Sequence, residues 1–134
     1  MEGTTRGSLP HGVRVELSRA RIQPGMSGDA DSWMQMLNDR RDECVARFAR
    51  DRMAIEILFR ERRDGEDFLY SVSFQGERGA PNEDLLDDAE RHPIDRDHMA
   101  ASRRCKEPGW DEIEAELLLM PDPVAEAVLA WARR

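Results

Sequence analysis

Several things are scarce or missing in this chain of 134 residues. Its two cysteines, Cys44 and Cys105, stand far apart, and neither belongs to a CxxC pair, which argues against a zinc cage. No apolar run approaches the roughly 20 residues of a membrane span. The opening residues, MEGTTRGSLPHG, lack the apolar stretch of a signal peptide. They read as a disordered arm over residues 1–12, and the expected location is the cytoplasm. Positive charge is outnumbered, with 20 Lys and Arg against 28 Asp and Glu and a formal net charge of -8. No basic block rises above that background, so a phosphate backbone would be repelled and nucleic acid is not an expected partner. There is no glycine-rich phosphate loop, nucleophile elbow or ordered Ser/His/Asp set. Neither a cofactor nor a metal is expected.

What is present suits one compact domain. Hydrophobic residues make up 40% and charged residues 36%, enough for one core under a wet surface. Val13 to Ile22 alternates apolar and polar and reads as a strand. Pro24, Gly25 and Gly28 break it, and a long helix is expected from about Asp31 to Arg50. RMAIEILFRERR and DFLYSVSFQG are a second and a third strand, joined across Asp64-Gly65, a strong hairpin signal. An acidic loop follows over Glu77 to Arg91. A second helix runs from about Ile94 to Lys106, with Pro93 just before it, where a missing N–H costs nothing. EIEAELLLM, Glu112 to Met120, is a fourth strand. After Pro121 and Pro123 a short amphipathic helix closes residues 121–134, with Val124, Val128 and Trp131 on its docking stripe. The order β-α-β-β-α-β predicts an α+β, ferredoxin-like domain over residues 13–120, a four-stranded antiparallel sheet with both main helices on one face and an extra C-terminal helix.

Alternation sorts the strands into two faces. One collects Val13, Val15 and Leu17, Ile55, Ile57 and Phe59, with Tyr70, Val72 and Phe74, and is expected to meet the helices. The other mixes Arg14, Glu16, Glu56 and Arg60 with Leu58, Leu69, Leu118 and Met120. Four large apolar residues on a face that one chain's helices leave uncovered predict a homodimer through that mixed face.

The order of elements resembles that of the dimeric α/β-barrel superfamily, which includes antibiotic-biosynthesis-type monooxygenases and joins two ferredoxin-like sheets back to back. More specifically, VELSRARIQPG, WMQMLNDRRDEC, RMAIEILFRE, DGEDFLYSVSFQGE and HPIDRDH, in that order, are similar to an uncharacterised bacterial family of domains of unknown function. The superfamily resemblance implies a dimeric barrel, with any ligand pocket between helices and sheet.

HPIDRDHMAASRRC, His92 to Cys105, concentrates ionisable residues. On a helical wheel Ile94, His98, Ala101 and Cys105 share a stripe, so His98 faces the sheet. Asp95 lies a quarter turn away and Asp97 points elsewhere; both suit the positive end of a helix. A metal held by His92, Asp95 and His98 would need these three to converge, which Pro93 and the wheel oppose. In the long helix, Arg41 falls inside the stripe Trp33, Leu37, Cys44 and Phe48, where a charge must be paired or line a cavity. Together Trp33, Arg41, Tyr70 and His98 define a candidate pocket. There Arg41 would hold an anion, Tyr70 and Trp33 would cover an apolar or aromatic body, and His98 would be the catalytic acid or base. The competing expectation is a non-enzymatic dimeric assembly protein in which these residues are a satisfied polar core. The two cysteines, each on an apolar stripe, are expected as buried thiols.

Overall fold

The computed structural model describes residues 12–76 and 92–132. The disordered arm expected over residues 1–12 falls, Gly12 apart, outside the described residues, and so does the acidic loop over Glu77 to Arg91. The fold is α+β, with a four-stranded antiparallel sheet in the order β2-β3-β1-β4. Its strands are β1 (Val13–Arg21), β2 (Met53–Arg63), β3 (Glu66–Gly76) and β4 (Asp111–Glu114), and its helices α1 (Ser27–Asp39), α2 (Arg41–Ala46), α3 (Phe48–Asp51), α4 (Pro93–Cys105) and α5 (Asp122–Ala132).

The β2–β3 hairpin forms where Asp64-Gly65 places it. Both turn residues have positive φ, 53° and 78°, the conformation that matches the right-handed twist of the flanking strands. The helix expected from Asp31 to Arg50 is three helices instead. It starts earlier, at Ser27, and leaves helical geometry at Arg40 (φ -107°, ψ 33°). A second break at Arg47 precedes α3, which ends at Arg52 in the left-handed region. Each break resets the phase of the wheel. The residue turned inward is therefore Arg47, 8% exposed, while the side chain of Arg41 is 77% exposed. The fourth strand is also shorter than expected: only Asp111–Glu114 pairs with β1, and Leu117 and Leu119 lie beyond it, exposed.

The sheet faces come out opposite to expectation. Ala20, Ile22, Leu58 and Leu69 pack under α1 and α4, against Ala30, Trp33, Ala101 and Cys105. The register places Glu16, Ser18, Glu56, Ser71 and Ser73 on that same side. The mixed face is thus the one the helices cover, and a dimer through Leu58, Leu69, Leu118 and Met120 is ruled out: Leu69 is fully buried inside the chain, and Leu118 and Met120 lie outside the sheet. Alternation tells which residues share a face; which face the helices take depends on what the helices bring. Here they bring arginines and carboxylates that need polar partners.

The apolar face is left open over much of its area. Rows run across it in register: Ile57, Val72, Leu17 and Ile113; and Phe59, Tyr70 and Arg19. Ile57, Ile113 and Phe59 are 42%, 46% and 52% exposed. Helix α5 docks at the end where β1 and β2 begin and β3 finishes. Val128 and Val13 are buried there, and the Trp131 indole N–H donates to the Met53 carbonyl. Val124, expected on the docking stripe, is 45% exposed. Among the described residues no helix is long and apolar enough to cross a membrane. Cys105 is fully buried, whereas Cys44 is half-buried, its thiol donating to the Leu37 carbonyl.

This assignment of faces has a direct check. Leu69→Ala should cost about 2–5 kcal/mol in urea denaturation, the usual range for emptying a filled core position. A loss below about 0.5 kcal/mol, the range of surface substitutions, would mean that Leu69 faces solvent.

Candidate functional site

Beside the apolar core lies a charged one. Asp95, in the first turn of α4, is 1% exposed. Its Oδ2 accepts from Arg50 Nη1 at 2.9 Å and from the backbone N–H of His92 at 3.0 Å. Arg50 Nε also donates to Asp51 Oδ1 at 2.6 Å. Arg47, between α2 and α3, spreads its guanidinium over three carboxylates: Glu56 at 3.3 Å, Asp51 at 3.6 Å and Asp95 at 3.7 Å. Glu56 reaches up from β2, where its neighbour across the strands is Ser73, and Gln75 donates to Ser73 Oγ and Glu16 Oε1, each at 2.9 Å. The polar side of the sheet and the short helices therefore solve one problem together. Each buried charge needs an opposite charge or a hydrogen bond; Glu56 supplies one to Arg47 across the layers, and the other pairs form among the helices.

The pairing leaves its mark on the carboxylates. Burial alone pushes the Asp95 carboxyl up. The hydrogen bonds from Arg50 and His92 and the charges of Arg50 and Arg47 outweigh it and hold the group below its ordinary value. At Glu56 burial wins over the Arg47 charge, and its carboxyl titrates above the ordinary value. Two atoms are left out of this lattice. Among the described residues, Arg47 Nε and Asp95 Oδ1 are buried and have no hydrogen-bond partner.

His98 sits at the junction of the two cores. Its Nδ1 accepts from the Trp33 indole N–H at 3.0 Å, and the two rings stand 5.5 Å apart at 40°. Because an indole N–H only donates, Nδ1 carries no proton and the neutral ring has its hydrogen on Nε2. Burial, then the neighbouring Arg47 cation, lowers the His98 pKa to about 4, against a smaller opposing pull from Asp95.

Of the four candidate pocket residues, Trp33 and His98 are brought together. Arg41 is not among them; it lies on the outer surface of α2, next to Asp42. Tyr70 is on the opposite sheet face, its hydroxyl donating to Glu61 Oε1 at 2.8 Å. Trp33 also borders a groove of about 350 Å³ between α1 and α4, together with Met36, Asp97, Ala101 and Arg104, but neither His98 nor Arg41 lines it. Arg47, Arg50, Asp51 and Glu56 are the residues that sequence reasoning missed, whereas Asp95 was singled out but without these partners. Two signals pointed to them: Arg47 and Asp51 stand at i,i+4, and Glu56 interrupts the apolar run MAIEILF.

A family model described as "Family of unknown function (DUF6176)" matches residues 13–126. The chain belongs to this family. No curated protein and no solved structure matches it. The family match spans β1 to the middle of α5 and so includes every member of the charged lattice. It assigns no activity to the family, and the chemistry must be argued from the lattice itself. A histidine kept neutral down to about pH 4, with Nδ1 already engaged, is poorly placed for proton transfer near neutrality.

The same histidine links stability to pH. In the unfolded chain His98 titrates near its ordinary 6.5, and in the folded chain at about 4. Between those values the unfolded state holds more protons, so stability falls as pH drops from 6.5 towards 4. The span corresponds to roughly 3 kcal/mol at about 1.4 kcal/mol per pH unit. Glu56, raised by burial, works the other way and gains stability as it protonates. The clean observable is therefore a difference. The pH slope of unfolding free energy between pH 6.5 and 4 should be shallower in His98→Gln than in the unsubstituted protein. Equal slopes would show that His98 is not buried neutral.

Proposed function

We propose that this protein works as an assembly module, a ferredoxin-like subunit that pairs with a second copy of itself through its open apolar sheet face, in the manner of the dimeric α/β-barrel superfamily. One observation carries this reading. Ile57, Phe59 and Ile113 stand half exposed in register with Leu17, Tyr70 and Val72, on a face that, among the described residues, α1 and α4 do not cover and α5 meets only at one end. Contiguous apolar surface of this kind marks an interaction site. Strands of this length and spacing present roughly 500 Å² per copy, near the lower bound of about 600 Å² per partner in stable complexes. Leu117 and Leu119, exposed just past β4, add to it. The polar groups on the face are already matched within the chain: Arg19 with Asp111, and Tyr70 with Glu61. A second apolar sheet therefore suits this surface better than a charged ligand. Strand order and the shared position of α1 and α4 over one face support the ferredoxin-like placement, and the composition suits a cytoplasmic protein.

A second reading is favoured by the two unpartnered atoms of the charged lattice. On this reading a small molecule binds between helices and sheet at His98, as first considered, but with Arg47 and Asp95 in place of Arg41 and Tyr70. An anion fits it poorly, because Arg47 and Arg50 already face Asp51, Glu56 and Asp95. Nothing in either reading requires catalysis.

Sedimentation across a concentration series tests the assembly. The unsubstituted protein should dimerise at micromolar concentration. Ile57→Glu should weaken the dimer by at least tenfold, about 1.4 kcal/mol. Val45→Glu, at an exposed position on α2, should leave it unchanged. An unsubstituted protein that stays monomeric at every concentration reached would refute the assembly.

A further inference from the structure

The groove of about 350 Å³ between α1 and α4 belongs to neither the open sheet face nor the charged lattice. Its α4 side is one helical stripe, Asp97, Ala100, Ala101 and Arg104, spaced i, i+3, i+4 and i+7. The two alanines in the middle leave room. A charge stands at each end, roughly 10 Å apart along the helix at about 1.5 Å per residue. Trp33 and Met36 of α1 line the other side, so the floor is apolar and the ends are ionic. The two end charges are not equivalent. Asp97 is paired, because Arg40 at the end of α1 donates to its Oδ2. Arg104 is exposed and stands beside the Cys105 thiol, and it pairs with no carboxylate among the described residues. A cation in the last turn suits the helix dipole, but Arg103 stands there too and does not line the groove.

We propose that this groove binds a small organic monocarboxylate with an apolar or aromatic body. The carboxylate meets the planar fork of Arg104, which suits it in a two-bond arrangement. The body lies along Ala100 and Ala101, against Met36 and Trp33. The charges set the class. With Asp97 offset by Arg40, the groove carries one uncompensated positive charge, which a single carboxylate neutralises. A dicarboxylate would bring its second charge towards Asp97, and an amine would meet Arg104 with Asp97 already taken. The volume lies at the lower end of ligand pockets, roughly 300–1,000 Å³, which suits a single ring or a short chain. An exposed ion pair contributes little, so the affinity is expected near roughly 1 mM. This site is separate from the proposed dimer and from the reading centred on His98.

The test follows the assigned Trp33 indole N–H resonance of the full chain by NMR at constant pH. Three probes are titrated separately: sodium 3-phenylpropionate, the uncharged 3-phenylpropanol, and sodium acetate, which has the charge without the body. A saturable shift with phenylpropionate, and weaker binding of the other two, is the expected result. Arg104→Gln should weaken phenylpropionate about fivefold, the upper end for an exposed ion pair. Arg103→Gln makes the same change of net charge outside the groove and should leave binding as it was. Ala100→Leu, at an exposed position, should fill the groove and abolish binding. No saturable shift with phenylpropionate overturns the site. Phenylpropanol binding as tightly as phenylpropionate, or a loss below twofold in Arg104→Gln, overturns the carboxylate class. Acetate binding as tightly as phenylpropionate, or full binding in Ala100→Leu, overturns the apolar body. Should a variant fail to fold, the three titrations of the unsubstituted protein still decide. Sedimentation decides the dimer independently of all of them.

Discussion

Everything on the helical side of this molecule depends on one carboxylate being buried. Asp95 sits at the start of α4 with almost no exposure, and it holds three parts of the chain at once. It accepts from the backbone at its own helix start, from Arg50 on α3, and it faces Arg47, whose other side reaches Glu56 on β2. A buried ion pair of this kind adds little net stability over a well-packed apolar substitute, since desolvation cancels much of the attraction. Breaking it from one side is another matter, because the charge left behind has no water to turn to. The lattice must therefore be kept or replaced as a whole. That constraint explains why α2 and α3 are short and broken. Each break re-aims an arginine.

The helix-facing layer is consequently divided. One part is an ordinary apolar core built on Leu69, Trp33, Ile22 and Cys105. The other is ionic. Trp33 and His98 stand at the border, and their hydrogen bond joins α1 to α4 there. A second ionic tie repeats the logic at the other end of the sheet. Asp67 of β3, also buried, receives Arg60 Nε at 2.9 Å and Ser27 Oγ at 2.6 Å, which fixes the first residue of α1 to the hairpin. Burial pushes the Asp67 carboxyl up, but those two hydrogen bonds and the charges of Arg60 and Arg62 more than reverse it. Two carboxylates, each placed near a helix start, thus locate both main helices over the sheet.

Much of the order of elements was readable from local signals. Asp64-Gly65 announced the hairpin, Pro93 the start of α4, and alternation gave β1, β2 and β3 almost to their ends. What failed has specific causes. A wheel drawn through Asp31 to Arg50 assumes a continuous helix, and it placed Arg41 inside because no local signal marks the breaks at Arg40 and Arg47. The parity rule grouped Glu56 with Leu58 and Leu69 correctly, but apolarity was then taken to choose the covered face. The covered face also has to supply polar partners to the helices, Glu56 to Arg47 and Asp67 to Ser27, and neither pairing shows in the alternation of a single strand. Tyr70 went to the wrong side with its whole strand. His98 was placed correctly because its neighbours Ile94, Ala101 and Cys105 carry a clear helical stripe. Asp95 was expected at a helix start and as an internal partner for Arg41; it is at the helix start and it is paired internally, but with Arg47 and Arg50, which no local pattern links to it.

The contact between Trp131 and the Met53 carbonyl reaches beyond the docking of α5. Strand β2 lies at the margin of the sheet, and a marginal strand offers unpaired backbone groups to any passing extended chain. At its first residue that offer is withdrawn, because the indole N–H already occupies the carbonyl. Towards its other end Arg60, Arg62 and Arg63 place positive charge along the same strand. A sheet this apolar on one side is exposed to runaway stacking edge to edge, the route to fibres. A tryptophan at one end and arginines at the other protect this margin, and at the opposite margin β4 is only four residues long, which leaves little edge to extend.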